Sequence, residues 1–254
     1  MKNKKIIMII ALSCAVVILL LTAALTTPRT SHDTSEAPPP TEWTPPDAYQ
    51  ISGVKPLLQC TLEAGCETYA CTMLLQTLGF DIDEITFADK YVDCHYVTDD
   101  GNGNVYGPDM HSGFAGTPYK GWGVYAPSMA KSMNRYLKDQ KSDKKATAYE
   151  NIDLETLCKE YVAKDIPVMV WATTDMQEPK VYCSWIVDYV DENAKAKKGD
   201  TVSWYEHEHC LMLMGYDEEY YYFGDSTRGE ISHFEKKLVE KRYKQMESQC
   251  IIVE

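Results

Sequence analysis

Gly65-Cys66-Glu67-Thr68-Tyr69-Ala70-Cys71-Thr72-Met73-Leu74-Leu75-Gln76-Thr77-Leu78-Gly79 is the stretch on which the reading of this chain turns. Small and apolar residues recur in it at helical spacing, at Ala70, Met73, Leu74 and Leu78, and Gly79 supplies a C-terminal stop. The pattern predicts a helix buried along one face, with Cys66 in its first turn. A thiol there lies at the positive end of the helix dipole, which favours the nucleophilic thiolate. Gly65 would let a substrate come close. A cysteine at a helix start is more often structural than reactive, so the rest of the chain has to supply its partners.

Working outward, Asp83 to Val92 reads as a second, shorter helix, and Thr98 to Lys120, rich in Gly, Asn, Asp and Pro, as a long structured loop. Helical patterning returns over Val124 to Leu137 and Leu154 to Ala163. The period then changes. Ile166-Pro167-Val168-Met169-Val170-Trp171 is a compact, partly β-branched run that predicts a central strand starting after its proline. Tyr182 to Val190, His209 to Tyr216 and Tyr220 to Phe223 predict further strands, the last two joined by Asp217-Glu218-Glu219. Ser232 and Glu235 fit a capping box for a last helix through Met246, and Ile251-Ile252-Val253 is expected to close the sheet. Helices first and strands later predict an α+β fold with the helices packed on an antiparallel sheet. There is no internal repeat.

A cysteine nucleophile needs a base, a group that orients the base, and donors for the oxyanion. His209 opens an apolar strand, where a lone histidine is usually a satisfied core residue. The next strand, however, ends in Gly224-Asp225-Ser226, and one hairpin brings its end back beside His209. Asp225 can then accept from the imidazole and fix its tautomer. Gln59 stands shortly before Cys66 and can offer its amide to an oxyanion beside the Cys66 N–H. The order Gln59, Cys66, His209, Asp225 is more specific than any member alone. His207, two residues before His209, would share its strand face and raises a His-x-His metal pair with Glu206 or Glu208 nearby. No third ligand stands out and HExxH is absent, so no metal and no cofactor is expected. His95, His111 and His233 read as exposed or locally hydrogen-bonded.

The chain has 254 residues and a formal net charge of −13, which argues against a nucleic-acid partner, since phosphate binding needs a basic surface. Lys2, Lys4 and Lys5 precede an apolar run from Ile6 to Leu25, about 20 residues and long enough to span a bilayer as a helix. The flanking charge favours export of the residues C-terminal to the run. The run fits a retained membrane anchor, with a cleaved signal peptide as the alternative. Residues 26–50, rich in Thr, Ser and Pro, read as a spacer, leaving 51–254 as the folded domain. The protein is accordingly expected at the cell membrane with its domain outside, or secreted if the segment is cleaved. The nine cysteines show no CxxC or zinc-ribbon spacing, and no disulfide can be assigned from them.

With these residues in view, the region from about Val54 to Glu254 resembles the exported papain-like cysteine peptidases related to the bacteriocin-processing, double-glycine-leader peptidases. The resemblance is carried by Gly65-Cys66-Glu67, Gly107-Pro108-Asp109, Phe114-Ala115-Gly116-Thr117-Pro118 and Gly121-Trp122-Gly123-Val124-Tyr125-Ala126-Pro127. It continues through Ile166 to Ala172, Glu208-His209-Cys210, Gly215-Tyr216-Asp217, Asp225, Phe234-Glu235-Lys236-Lys237 and Arg242-Tyr243. It implies a papain-like fold with the nucleophile on the first helix. It also implies Cys66 as nucleophile, His209 as base, Asp225 as orienting acid, Gln59 at the oxyanion hole, and a peptide or protein substrate. Two departures stand out: Ser226 replaces the usual proline after the aspartate, and His207 stands two before the histidine. The chain is too short to carry an ATP-binding cassette. A non-catalytic binding module on the same fold, and a peptidoglycan amidase or endopeptidase, are the alternatives.

Overall fold

A computed structural model describes residues 43–254, so the apolar run over 6–25 and most of the spacer lie outside the described residues. Among the described residues, no helix is long and apolar enough to cross a membrane. The folded unit runs from Thr44 to Glu254 and so begins ahead of the boundary expected at 51. Its first strand, β1 (Tyr49–Gln50), belongs to the main sheet.

Two helices follow, α1 (Cys66–Thr77) and α2 (Glu84–Tyr91). Asp83 caps α2 by accepting the Thr86 N–H at 2.7 Å, the kind of side-chain cap that satisfies a free helix donor. After β2 (Cys94–His95), the segment from Thr98 to Lys120 expected as loop carries short strands: β3 (Thr98–Asp99), β4 (Val105–Pro108), β5 (Phe114–Thr117) and the start of β6 (Lys120–Gly121). Gly116 makes the β5–β6 turn possible. It lies at φ +96°, and a Cβ there would meet the Gly121 Cα at 2.5 Å. Then come α3 (Ala126–Asp139), β7 (Ala146–Glu150) and α4 (Leu154–Glu160), the last capped by Asp153. The C-terminal part is β8 (Val168–Thr173), β9 (Val181–Tyr189), β10 (Thr201–Tyr205), β11 (Glu208–Tyr216), β12 (Tyr220–Asp225), β13 (Glu230–Glu235), α5 (Lys236–Gln245) and β14 (Gln249–Val253).

The main sheet has the order β13-β12-β11-β8-β14-β7, with β1 pairing on β11 beyond the end of β8. All its pairings are antiparallel, and β9 and β10 form a smaller sheet with β4 and β3. The architecture is α+β, as expected. β8 is buried along its whole length because it lies mid-sheet with both faces covered, which explains its continuous apolar run. Trp171 on β8 is fully buried and donates its ring N–H to the Val124 carbonyl at 3.0 Å, tying the strand to the entry of α3.

Some expectations change. α1 is buried on every side from Cys66 to Leu75, because it runs between β11 and α2; Glu67, Thr68 and Thr72 are as enclosed as the apolar residues. Ser232 does not cap the last helix. It pairs with Phe223 inside β13, and α5 begins at Lys236 behind an uncapped Glu235, because strand pairing over Glu230–Glu235 claims the residues a capping box would need. β14 sits between β8 and β7 instead of closing the sheet, since Ala146–Glu150, not expected as a strand, takes the edge. Gly65 packs against Leu62, where a Cβ would meet the Leu62 Cβ at 2.6 Å, so its smallness serves this turn.

Candidate active site

Cys66 is the first residue of α1, with Gly65 as its uncapped N-cap. As a first-turn residue its N–H has no intrahelical partner. Its thiol donates to Glu67 Oε2 at 3.3 Å, and Glu208 Oε2 lies 4.0 Å from the sulfur. Glu67 has no exposed surface, and its Oε1 accepts the Val124 N–H at 2.7 Å. Gly123 leaves room for this carboxyl, because a Cβ there would collide with Glu67 Oε1 and the Trp204 ring. Glu208 opens β11, and its Oε1 is buried without a hydrogen-bond partner. No described lysine or arginine forms an ion pair with either glutamate.

Burial pushes both carboxyls up, and the negative field of Glu67 adds to the rise at Glu208. Burial, then Glu67, then Glu208 push the Cys66 thiol up as well. The helix N-terminus was expected to favour a thiolate; burial and the two neighbouring acids push the thiol the opposite way.

His209, the second residue of β11, and Asp225, the last of β12, are both buried. The antiparallel hairpin brings these strand ends together, and His209 Nε2 lies 3.0 Å from Asp225 Oδ1. Thr227 completes the aspartate's partners, donating its N–H at 3.0 Å and its hydroxyl at 2.7 Å to the same oxygen. Burial raises the Asp225 carboxyl, but His209 and the Thr227 donors outweigh it and hold it at about 2. With Nε2 on Asp225, Nδ1 is the ring nitrogen left for a thiol. No described hydrogen bond joins the thiol to His209: the sulfur is turned toward the two glutamates.

Gln59 is tied into the turn before α1. Its amide nitrogen donates to the carbonyls of Leu62 at 3.0 Å and Glu63 at 3.1 Å. Its amide oxygen accepts from the Ser226 hydroxyl at 3.0 Å, and its backbone N–H donates to the Ser226 carbonyl at 2.7 Å. Ser226, in the place of the expected proline, therefore links the residue after Asp225 to the turn before Cys66. His207 does not share a strand face with His209. It lies at φ +66° in the turn between β10 and β11, with Glu206 3.9 Å away.

Gln59, Cys66, Glu208 and His209 line one cleft of about 1100 Å³. Tyr96 and Tyr182 stand at its rim, 75% and 69% exposed. Sequence reasoning placed Glu67 only as the neighbour of Cys66, weighed Glu208 only beside a His207–His209 metal pair, and passed over Thr227. The available signal was a glutamate directly after the helix-start cysteine and another directly before the strand histidine.

These features define a papain-like α+β peptidase fold. A family model described as the Peptidase_C39 like family matches residues 51–251, and the chain belongs to that family. Among its relatives is the uncharacterized protein YvpB of Bacillus subtilis, 24% identical over 192 residues, which are 75% of this chain and 69% of YvpB. A crystal structure of a Bacillus anthracis protein described as C39-like superposes with a TM-score of 0.68 at 24% identity, covering 82% of this chain and 98% of that one.

Proposed function

We propose that the protein is an exported cysteine peptidase that hydrolyses peptide bonds with Cys66, His209 and Asp225. The observation that carries this reading is a helix-start cysteine and a buried His209–Asp225 pair opening on the same cleft. On substrate binding the sulfur turns from Glu67 to His209 Nδ1, which takes its proton. The thiolate attacks the carbonyl, and the oxyanion is received by the Cys66 N–H and by Gln59, which releases one of its carbonyl partners. The imidazolium then protonates the leaving amine. His209 next takes a proton from water, which attacks the thioester and frees both acid and thiol. Asp225 holds the tautomer and stabilises the imidazolium. No group other than the chain's own residues is called for. Export and attachment through the segment over 6–25 rest on the sequence pattern, and the substrate is a peptide or protein.

Replacing Cys66 with Ala is expected to abolish labelling by a thiol-directed peptidase probe; labelling that survives in that variant defeats the assignment. A binding module on the same fold is the second reading, favoured by the thiol's hydrogen bond to Glu67 and by the engaged amide of Gln59. Wild-type protein that never labels and never cleaves a peptide library would decide for it. Digestion of purified cell walls alongside that library separates a peptidoglycan substrate from a protein one.

A further inference from the structure

The thiol of Cys66 and the carboxyls of Glu67 and Glu208 meet at one place, each offering a ligand atom within 4.8 Å of the others. The sulfur lies 3.3 Å from one carboxyl oxygen and 4.0 Å from the other. A tetrahedral ion with metal–sulfur and metal–oxygen bonds of about 2.3 and 2.0 Å spans sulfur–oxygen edges of roughly 3.5 Å. The two measured edges bracket that length. A second observation is independent of this spacing. Glu208 Oε1 is buried at the cluster with no hydrogen-bond partner, and a buried carboxylate oxygen left unpaired is costly. With no described lysine or arginine paired to either glutamate, three acidic groups stand together that only protons or a cation can neutralise.

We propose that Cys66, Glu67 and Glu208 form a binding site for a thiophilic divalent cation of the zinc class. The thiolate selects a borderline-soft ion over magnesium or calcium, which take all-oxygen sites. Binding forms the sulfur–metal bond and releases the thiol proton, together with any proton the carboxyls hold. Cys66 and Glu208 line the cleft, so an ion held between them would be reached from solvent through it. The helix N-terminus opposes a cation, but three anionic ligands outweigh it. An ion held here keeps the sulfur from His209, so the same site has a masked and an unmasked state. Binding uses the sulfur of the proposed nucleophile without resting on peptide hydrolysis. The sequence raised His207 and His209, with Glu206 or Glu208 nearby, as the metal ligands to consider; of these only Glu208 belongs to the cluster with Cys66 and Glu67.

The test is titration of the reduced full-length chain with cadmium, following the ultraviolet sulfur-to-cadmium charge-transfer band, with zinc as competitor. A stoichiometric band that zinc displaces, that disappears in Cys66→Ser, and that weakens about tenfold or more in Glu208→Gln supports the site. A band unchanged in Cys66→Ser, or an affinity unchanged in Glu208→Gln, overturns it. A second measurement needs no variant: zinc should slow alkylation of Cys66 by iodoacetamide, read by peptide mass spectrometry, more than that of exposed Cys60, and a chelator should restore the rate. Equal rates at Cys66 with and without zinc overturn the site even if the cadmium variants fail to fold. Because these readouts need no turnover, they can fail while the peptidase probe still labels Cys66, and the reverse.

Discussion

Two buried histidines in this molecule each bind a buried carboxylate, and they differ in what is left over. His111 spends both ring nitrogens: Nδ1 lies 2.8 Å from Asp109 and Nε2 3.1 Å from Glu247. Lys195 bridges Glu247 and Glu150, which closes the network into a set of paired charges. Burial alone would lower the His111 pKa, but the bonds to Asp109 and Glu247 outweigh it and raise it. His209 spends one nitrogen on Asp225 and keeps the other on the side of a cleft that also holds Cys66. The His111 network can stabilise; it has nothing with which to move a proton. A buried histidine becomes a candidate catalyst through its unspent nitrogen, not through its carboxylate partner.

Substitutions can break this contrast. The largest effect is expected for His209→Ala, which should lower the rate of peptide cleavage or probe labelling by about 10²–10⁴-fold, the usual share of a general acid–base group. His111→Ala should leave that rate within a few-fold and instead cost about 1–3 kcal/mol of stability, by stranding Asp109 and part of Glu247. A shift of about 2–4 °C in Tm for each kcal/mol makes this measurable in a thermal melt. If both variants lose activity alike at unchanged Tm, the contrast is wrong.

The His111 penalty should also depend on pH. A raised histidine pKa stabilises fully below its ordinary value of 6.5 and loses that contribution as pH rises through the folded value. At Glu247 burial pushes the pKa up, but His111 and Lys195 outweigh it and hold it at about 2. Its share is present above the ordinary 4.5 and is lost as pH falls toward 2. The Tm difference between wild type and His111→Ala should therefore be largest between about pH 4.5 and 6.5 and shrink on either side. A flat difference would mean that the ring acts by packing alone. The smallest effect is expected for Thr227→Val, which removes one donor from Asp225 and should slow labelling a few-fold while leaving stability within about 1 kcal/mol of wild type.

How much of this was legible differs from place to place. α1 and β8 could be read because their signals are local: an apolar period with a glycine stop in one, an unbroken β-branched run in the other. Cys66, His209 and Asp225 could be placed because a helix start and a two-strand hairpin dictate position over short stretches of chain. Ser232 misled because its capping pattern is equally local, and pairing with β12 overrides it. β7 was missed because Ala146–Glu150 is a strand by virtue of its neighbour β14, 99 or more positions away in the pairing Glu150↔Gln249. The role of Gln59 changed in kind, since hydrogen bonds to Leu62, Glu63 and Ser226 can be seen only once the turn and the strand end meet.

The sequence by itself determined that a cysteine opens a buried helix and that a histidine and an aspartate stand at adjoining strand ends, because backbone periodicity carries that information within a few turns of chain. Only the tertiary structure decided what the sulfur faces. Glu67 and Glu208 stand 141 positions apart and meet at the Cys66 sulfur because α1 packs on β11. Burial of the sulfur by the surrounding fold, which no local pattern encodes, pushes the Cys66 thiol up first, and the two glutamates add to it.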